Sequence, residues 1–339
     1  MWTKLWGPNP VSTIRGSGPL DLLDLLDLSR STWHYRQNPR STVSDPVHQA
    51  DRAYQSRISK SDRAAIAGLI QEAWAAGNSV DHAFATAWDT GIMLGSKRTW
   101  WRIASELDQA NRPEAPTKAT GTSRKRATPV VVAKAPGEVW SWDITELKSP
   151  YARKTFKAYS VIDIYSRMII AWWVEDREDQ VVVNEMFTQA IEAYGAPKVV
   201  HADNGAVMKS NDLNKVLGDN DVEMSHNRPY VSNDNPYSES EFRTMKYRPN
   251  YPGTFGSLED ARAFLRSYVP WYNTCHKHSG IALFSPQDVF DGTWKTKHKV
   301  RDKALQRYFK AHPERFRGRP ETDEPAKVVG INHEQEATV

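Results

Sequence analysis

Three carboxylates stand where a chain could bring them together for chemistry. In VWSWDIT (139–145), Val139, Ser141, Asp143 and Thr145 point one way along an alternating strand, and Trp140, Trp142 and Ile144 point the other. Two tryptophans anchor that strand in a core, and the opposite side carries an acid flanked by hydroxyls. A buried, unpaired carboxylate is costly, so a positive group is expected against Asp143. Asp203 directly follows the short apolar run KVVHA (198–202), at the carboxyl end of a strand, where open α/β sheets place ligand sites. Glu239 falls in the first turn of a helix that Asn235 can cap and Pro236 can open. Singly these residues have ordinary explanations: a turn aspartate, a strand aspartate, an acid at the positive end of a helix dipole. Together, three carboxylates from different elements can hold two hard divalent cations. Two such ions, about 4 Å apart, activate the attacking oxygen and stabilise the leaving oxygen of a phosphodiester displacement.

The elements needed to position these acids are legible in the hydrophobic periodicity. Strands are expected over 139–147, 155–165, 167–174, 198–202 and 222–226, the second and third forming a meander around Ser166. Helices are expected over 180–194, 236–247 and 257–268, the last stopping ahead of Pro270. This order describes an α/β domain, a mixed sheet with helices on its faces. Upstream, helices are expected over 21–35 (with Ser29 on its apolar stripe), 60–76, 80–89 and 97–107, with Gly91 as a stop and Ser96 as an N-cap. This small all-α region has a basic last helix and a helix-turn-helix-like pattern. The chain is accordingly divided into an unassigned segment 1–20, a helical region 21–110, a basic linker 111–135, a catalytic core 136–292 and a basic tail 293–339 that ends weakly structured.

Charge is distributed unevenly over the 339 residues. The net charge is only +4, yet residues 96–135 hold nine Lys or Arg against three Asp or Glu, and residues 293–319 hold ten against two. Such blocks attract polyanions. The single cysteine, Cys275, excludes an intrachain disulfide and any Cys-rich zinc site. The longest apolar run, 168–174, is far too short to span a membrane, and the N-terminus has no signal-peptide core. A cytoplasmic location without membrane contact is expected.

VWSWDIT, YSVIDIYSRMIIAW (159–172), VVHADNG (199–205), DNPYSESEFRTMKY (234–247), WYNTCHKHSG (271–280) and SPQDVF (285–290) together resemble the retroviral-integrase-like catalytic core of bacterial insertion-sequence transposases of the Asp-Asp-Glu class. The 35 residues between Asp203 and Glu239 match the spacing of that class. The likeness extends more weakly upstream to about Leu22 and downstream to about Asn332. It departs at NSVDHAFATAWDTG (78–91), where relatives often carry an Arg-rich stretch.

The resemblance implies a ribonuclease-H-like mixed five-stranded sheet, with Asp143, Asp203 and Glu239 as both the catalytic and the metal-binding carboxylates. It implies two Mg²⁺ (or Mn²⁺) ions as cofactors, DNA (transposon ends and target) as partner, and a homo-oligomer on that DNA. The implied reaction is cleavage at transposon ends followed by strand transfer. A nuclease of the same fold that does not join strands, or a DNA-binding protein with an inert site, remain the alternatives. Lys97, Arg98, Arg102, Arg124, Lys125, Arg126 and Lys246 are the expected DNA contacts. Asp163 is expected to be structural, fixing the hairpin at Ser166-Arg167, and His201, His276 and His278 to be hydrogen-bonded core or surface residues. Glu241 is turned about 200° from Glu239 on the helix, and is expected in solvent or beside a basic neighbour.

Overall fold

The computed structural model describes residues 29–39, 54–107, 130–205, 207–227 and 235–332. Residues 1–28, most of the expected linker and the Arg124-Lys125-Arg126 run lie outside the described residues. The chain divides into two units, residues 1–55 and 56–339. In the first, helix α1 (Arg30–Gln37) begins after Ser29, whose Oγ accepts the Thr32 N–H. Ser29 is thus the cap and not part of the apolar stripe, because a hydroxyl that accepts an orphan N–H stabilises the helix start.

The second unit opens with helices α2 (Lys60–Ala75), α3 (Val80–Asp89) and α4 (Lys97–Glu106). Ser59, Ser79 and Ser96 cap them in turn, each side chain accepting an N–H three residues on. Gly91 takes a positive φ just beyond α3, as a stop there requires. Ile66, Ile70 and Trp74 of α2 pack on Phe84 and Trp88 of α3 and on Trp100 and Ile103 of α4.

The strands follow the sequence expectation closely: β2 (Val139–Lys148), β3 (Thr155–Asp163), β4 (Ile169–Glu175), β5 (Val199–Ala202) and β6 (Glu223–His226). They form one sheet in the order β4-β3-β2-β5-β6. β2–β3 and β3–β4 are antiparallel, whereas β2–β5 and β5–β6 are parallel. This is the ribonuclease-H-like arrangement. On one face, Trp140, Trp142 and Tyr159 pack against Met186 and Phe187 of α5 (Gln180–Tyr194) and Leu213 and Leu217 of α6 (Asn211–Gly218). On the other, Phe156, Ala158 and Ile169 meet Phe242 and Met245 of α7 (Pro236–Lys246) and Leu265, Tyr268 and Tyr272 of α8 (Leu258–Thr274).

Three features depart from the sequence expectation. Helix α8 runs through Pro270 instead of ending before it. Pro270 is exposed, and so is Arg266, whose carbonyl loses its intrahelical donor. Water can satisfy that carbonyl, and burial of Tyr268, Val269 and Tyr272 on the inner face outweighs the kink cost of about 3 kcal/mol. Next, Val131–Ala133 (β1) pairs antiparallel with Val329–Ile331 (β7), within segments expected to be a linker and a weakly structured tail. Finally, after the short α9 (Pro286–Phe290) at the end of the expected core, the basic tail opens with the 18-residue α10 (Trp294–Ala311), where no helix was expected. Ala304 and Leu305 of α10 enter the core of α2–α4. Among the described residues, no helix is long and apolar enough to cross a membrane.

Candidate active site

The site grows out of strand register. In the parallel pairing of β2 with β5, Ser141 stands opposite His201. Asp143 and Asp203 each lie two residues further along, so they leave adjacent strands at the same level of the sheet. Asp203 turns its Oδ1 onto the Gly205 N–H at 2.7 Å, closing the turn. A Cβ at Gly205 would sit 3.0 Å from that oxygen, so any larger side chain there would crowd the Asp203 carboxylate. His226 of β6 meets the Asp203 carbonyl at 3.0 Å.

Helix α7 is pinned to β2 directly behind Asp143. The Ser141 hydroxyl donates to Asn235 Oδ1. It also lies 3.1 Å from the Ser238 hydroxyl. Asn235 Nδ2 donates to the Trp142 carbonyl at 3.2 Å. All three polar side chains are buried. Asn235 holds the cap position expected for it, but its side chain makes no capping bond and instead ties the helix to the sheet. Glu239, one residue past Ser238, is thereby brought to the Asp143 side of the sheet. Its own side chain is largely exposed.

The electrostatics agree with that placement. The Asp143 carboxyl is pushed up to about 7, first by burial. The Ile144 N–H, donating at 2.7 Å, opposes the shift, and the charges of Asp203 and Glu239 add to it. Glu239 is also raised, by the partial burial of a side chain that still reaches solvent. The positive group expected near Asp143 is Lys246, one of whose protons goes to Thr145 Oγ1 at 2.6 Å. Burial lowers Lys246, and the charges of Glu146, Glu241 and Asp143 oppose this. Asp143 feels the charges of the other two carboxylates, but no three His, Cys, Asp or Glu among the described residues are gathered closely enough to hold a metal ion. The donor set is nonetheless one of hard oxygens with mutual repulsion, which suits a divalent cation.

Glu241 is the clear correction. It is 2 % exposed, not in solvent, and its Oε2 makes no hydrogen bond. Burial pushes its carboxyl up to about 7, against the nearby hydroxyls of Tyr268 and Ser160. The cause is helix phase. Ser238, Glu241, Phe242 and Met245 recur at three- and four-residue spacing and form the buried face of α7.

The remaining residues sort by environment. The Asp163 carboxylate accepts from the Ser166 N–H (2.8 Å), the Ser166 hydroxyl (2.5 Å) and the Gly137 N–H (3.0 Å), which fixes the β3–β4 turn. His201 bonds Ser225 and Asn227 inside the sheet. Lys97, Arg98 and Arg102 are exposed along α4, away from its core-facing Trp100 and Ile103. Arg98 and Arg102 line a cleft with Ser96, Thr99 and Trp101. Lys97 lies 3.9 Å from Asp81. Sequence reasoning missed Ser141 and Ser238 as site residues, because a serine on a strand or helix carries no distinguishing local signal.

Residues 133–232 and 220–286 each match a family model of the integrase core domain. Together the two matches run from residue 133 to residue 286. The transposase for insertion sequence element IS904 of Lactococcus lactis is 30% identical over 159 residues, covering 46% of this chain and 62% of that protein. An uncharacterised transposase-like protein of Haemophilus influenzae is 26% identical over 142 residues, covering 42% of this chain and 65% of that protein. The chain thus spans a little under two thirds of the length of these relatives. Among solved structures, the catalytic core domain of BIV integrase is similar, with a TM-score of 0.37 and 20% identity, over 48% of this chain and 99% of that one.

Proposed function

We propose that this protein is a polynucleotidyl transferase that cuts DNA at the ends of a transposon and joins the freed 3′-hydroxyl to target DNA. The observation that carries the reading is the register that sets Asp143 and Asp203 on adjacent parallel strands, with α7 pinned against them so that Glu239 joins the same side. In this reading Asp143, Asp203 and Glu239 hold two Mg²⁺ or Mn²⁺ ions. When bound, the ions would acidify the attacking hydroxyl and neutralise the leaving oxygen. The chain's own contribution is to fix the three carboxylates on rigid elements, with Asp143 backed by the Ile144 N–H. Lys246, held at Thr145, offers its charge to a phosphate at the edge of the site. Lys97, Arg98 and Arg102 on α4, and the Arg124-Lys125-Arg126 run, hold the DNA backbone. The protein works as a homo-oligomer on DNA in the cytoplasm. Because no covalent protein intermediate is required, water serves first and the 3′-hydroxyl second at one site.

The test is a duplex ending in the repeats that flank the gene, incubated with Mg²⁺ and a second, unlabelled duplex. Nicks with 3′-hydroxyl ends followed by joined products support the proposal. Cutting without joining identifies a nuclease, and binding without cutting an inert DNA-binding protein.

A further inference from the structure

Helix α10 carries a charge pattern that the catalytic reading leaves unused. Lys295, Lys299, Lys303 and Arg307 follow one another at four-residue spacing, and Lys310 comes three residues later. At about 100° per residue these five fall within a sector of about 120°. All five are exposed. Arg301, Ala304, Leu305 and Tyr308 form the opposite, buried face. Among the described residues, none of the four lysines has an acidic partner. The helix's only acid, Asp302, is engaged with Gln306 and Thr322. Cations four apart on one face repel one another and weaken the helix, so the stripe has no use in folding.

The helix that bears it is held rigidly. Arg301 is completely buried and donates to Asp89 Oδ1 at 2.6 Å and to the carbonyls of Ala282 and Leu283 at 2.8 and 2.9 Å. The Trp88 indole donates to the Arg301 carbonyl at 2.9 Å. Tyr308 donates to the Leu94 carbonyl, and Arg307 reaches the Gly91 carbonyl, both in the turn that leads into α4. Arg102 of α4 shares a cavity with Tyr308 and Arg315. The stripe and the basic residues of α4 therefore belong to one packed helical unit.

We infer that the exposed face of α10 is a second DNA-binding surface, which lies along the phosphate backbone of a duplex without reading its bases. The charge complementarity is direct. Three i→i+4 steps and one i→i+3 step, from Lys295 to Lys310, span about 22 Å of helix at 1.5 Å per residue, and duplex DNA presents one negative charge per about 1.7 Å of its axis. Long lysines reach phosphates as point charges and impose no sequence preference. The inference deepens the proposed action on DNA and rests on that reading for its ligand.

The test compares the full chain with the triple variant Lys295→Gln, Lys299→Gln, Lys303→Gln. Affinity for a duplex of arbitrary sequence is measured by fluorescence anisotropy across a salt series. Each lost phosphate contact flattens the slope of log affinity against log salt by about 0.9. The expected result is a clearly shallower slope and weaker binding at low salt, with an unchanged circular dichroism spectrum. The variant Lys295→Arg, Lys299→Arg, Lys303→Arg keeps the charge and should keep the wild-type slope. Coincident slopes for the wild type and the glutamine variant, or a slope equally flattened in the arginine variant, overturn the inference. These outcomes are separate from failure of the proposed reaction: a wild-type protein that binds DNA with a steep slope and never cuts it sinks the reaction and leaves the stripe standing.

Discussion

Ser141 and Ser238 are 97 positions apart in the chain, yet their hydroxyls lie 3.1 Å apart beneath the candidate site. Together with Asn235 they make a buried polar clamp between the strand of Asp143 and the helix of Glu239. A fully satisfied buried network fixes position, and a broken one leaves polar atoms without partners. Asn235→Ala should therefore lower stability by about 1–3 kcal/mol. It should also reduce DNA nicking by more than that loss accounts for under folding conditions. Chemical denaturation beside a nicking assay measures both. A variant that nicks at the wild-type rate would show that α7 is positioned by its apolar face alone.

The two glutamates of α7 should respond oppositely. Glu239→Gln keeps size and removes the charge needed at the carboxylate cluster, so nicking should fall by several orders of magnitude while the fold persists. Glu241→Gln replaces a buried carboxyl by a neutral amide of the same shape, which no longer carries the cost of ionising in an apolar setting. That variant should melt no lower than wild type and keep most of its activity. If Glu241→Gln is inactive and Glu239→Gln is active, the assignment of the site on this helix is reversed.

Metal should act on stability as well as on rate. The charges of Asp203 and Glu239 both raise Asp143, and a divalent cation relieves that repulsion. Millimolar Mn²⁺ added to metal-free protein should raise the melting temperature, and Asp143→Asn should abolish the rise. An identical melting curve with and without Mn²⁺ in the wild type counts against a cation site at these carboxylates.

The sheet was readable from the sequence because alternation in 139–147 and the apolar runs after it set strand and register alike. Asp203 and Glu239 stood out by their positions at element ends, and Asp143 as an acid flanked by hydroxyls on a strand that two tryptophans anchor. Tertiary choices were not readable. Asn235 fits the local pattern of a cap, and only the neighbouring strand offers it better partners. For Glu241 the signal existed: Phe242 and Met245 mark a buried face that includes position 241, but attention to the charge alone places it in solvent. In α10 the density of lysines hides the narrow apolar stripe of Ala304, Leu305 and Tyr308.

Three histidines predict an acid-labile region. His82 and His276 are pushed down to about 4 and His278 to about 3, in each case chiefly by burial. The charges of Lys277 and Arg248 add to the shift at His82 and His276, and those of His276 and Arg167 at His278. All three are depressed below the ordinary value of 6.5, so between pH 6.5 and about 4 the unfolded chain binds more protons than the folded one. Stability is then fully present above pH 6.5 and declines as pH falls through that window. Urea denaturation at intervals from pH 7.5 to 4.5 should show this decline. His276→Gln should flatten it, and a slope unaffected by the substitution would assign the acid sensitivity to other groups.

A buried ion pair locks α10 to α3. Asp89 receives Arg301 Nε at 2.6 Å on one oxygen and Lys277 Nζ at 2.5 Å on the other. The Arg301 side chain is wholly buried, and that of Asp89 is only 12% exposed. Removing one partner of such a pair strands the other's charge in the interior, at a cost of about 3–5 kcal/mol. Asp89→Ala should therefore destabilise the helical unit by that order. Replacing Asp89 and Arg301 together, as in Asp89→Leu with Arg301→Met, removes the stranded guanidinium, leaves only the Lys277 ammonium unpaired, and should recover part of the loss. Denaturant midpoints for the two single variants and the double variant give the coupling directly. If Asp89→Ala costs less than about 1 kcal/mol, water reaches Arg301, and α10 is held to α3 by Leu305 and its apolar neighbours instead of by charge.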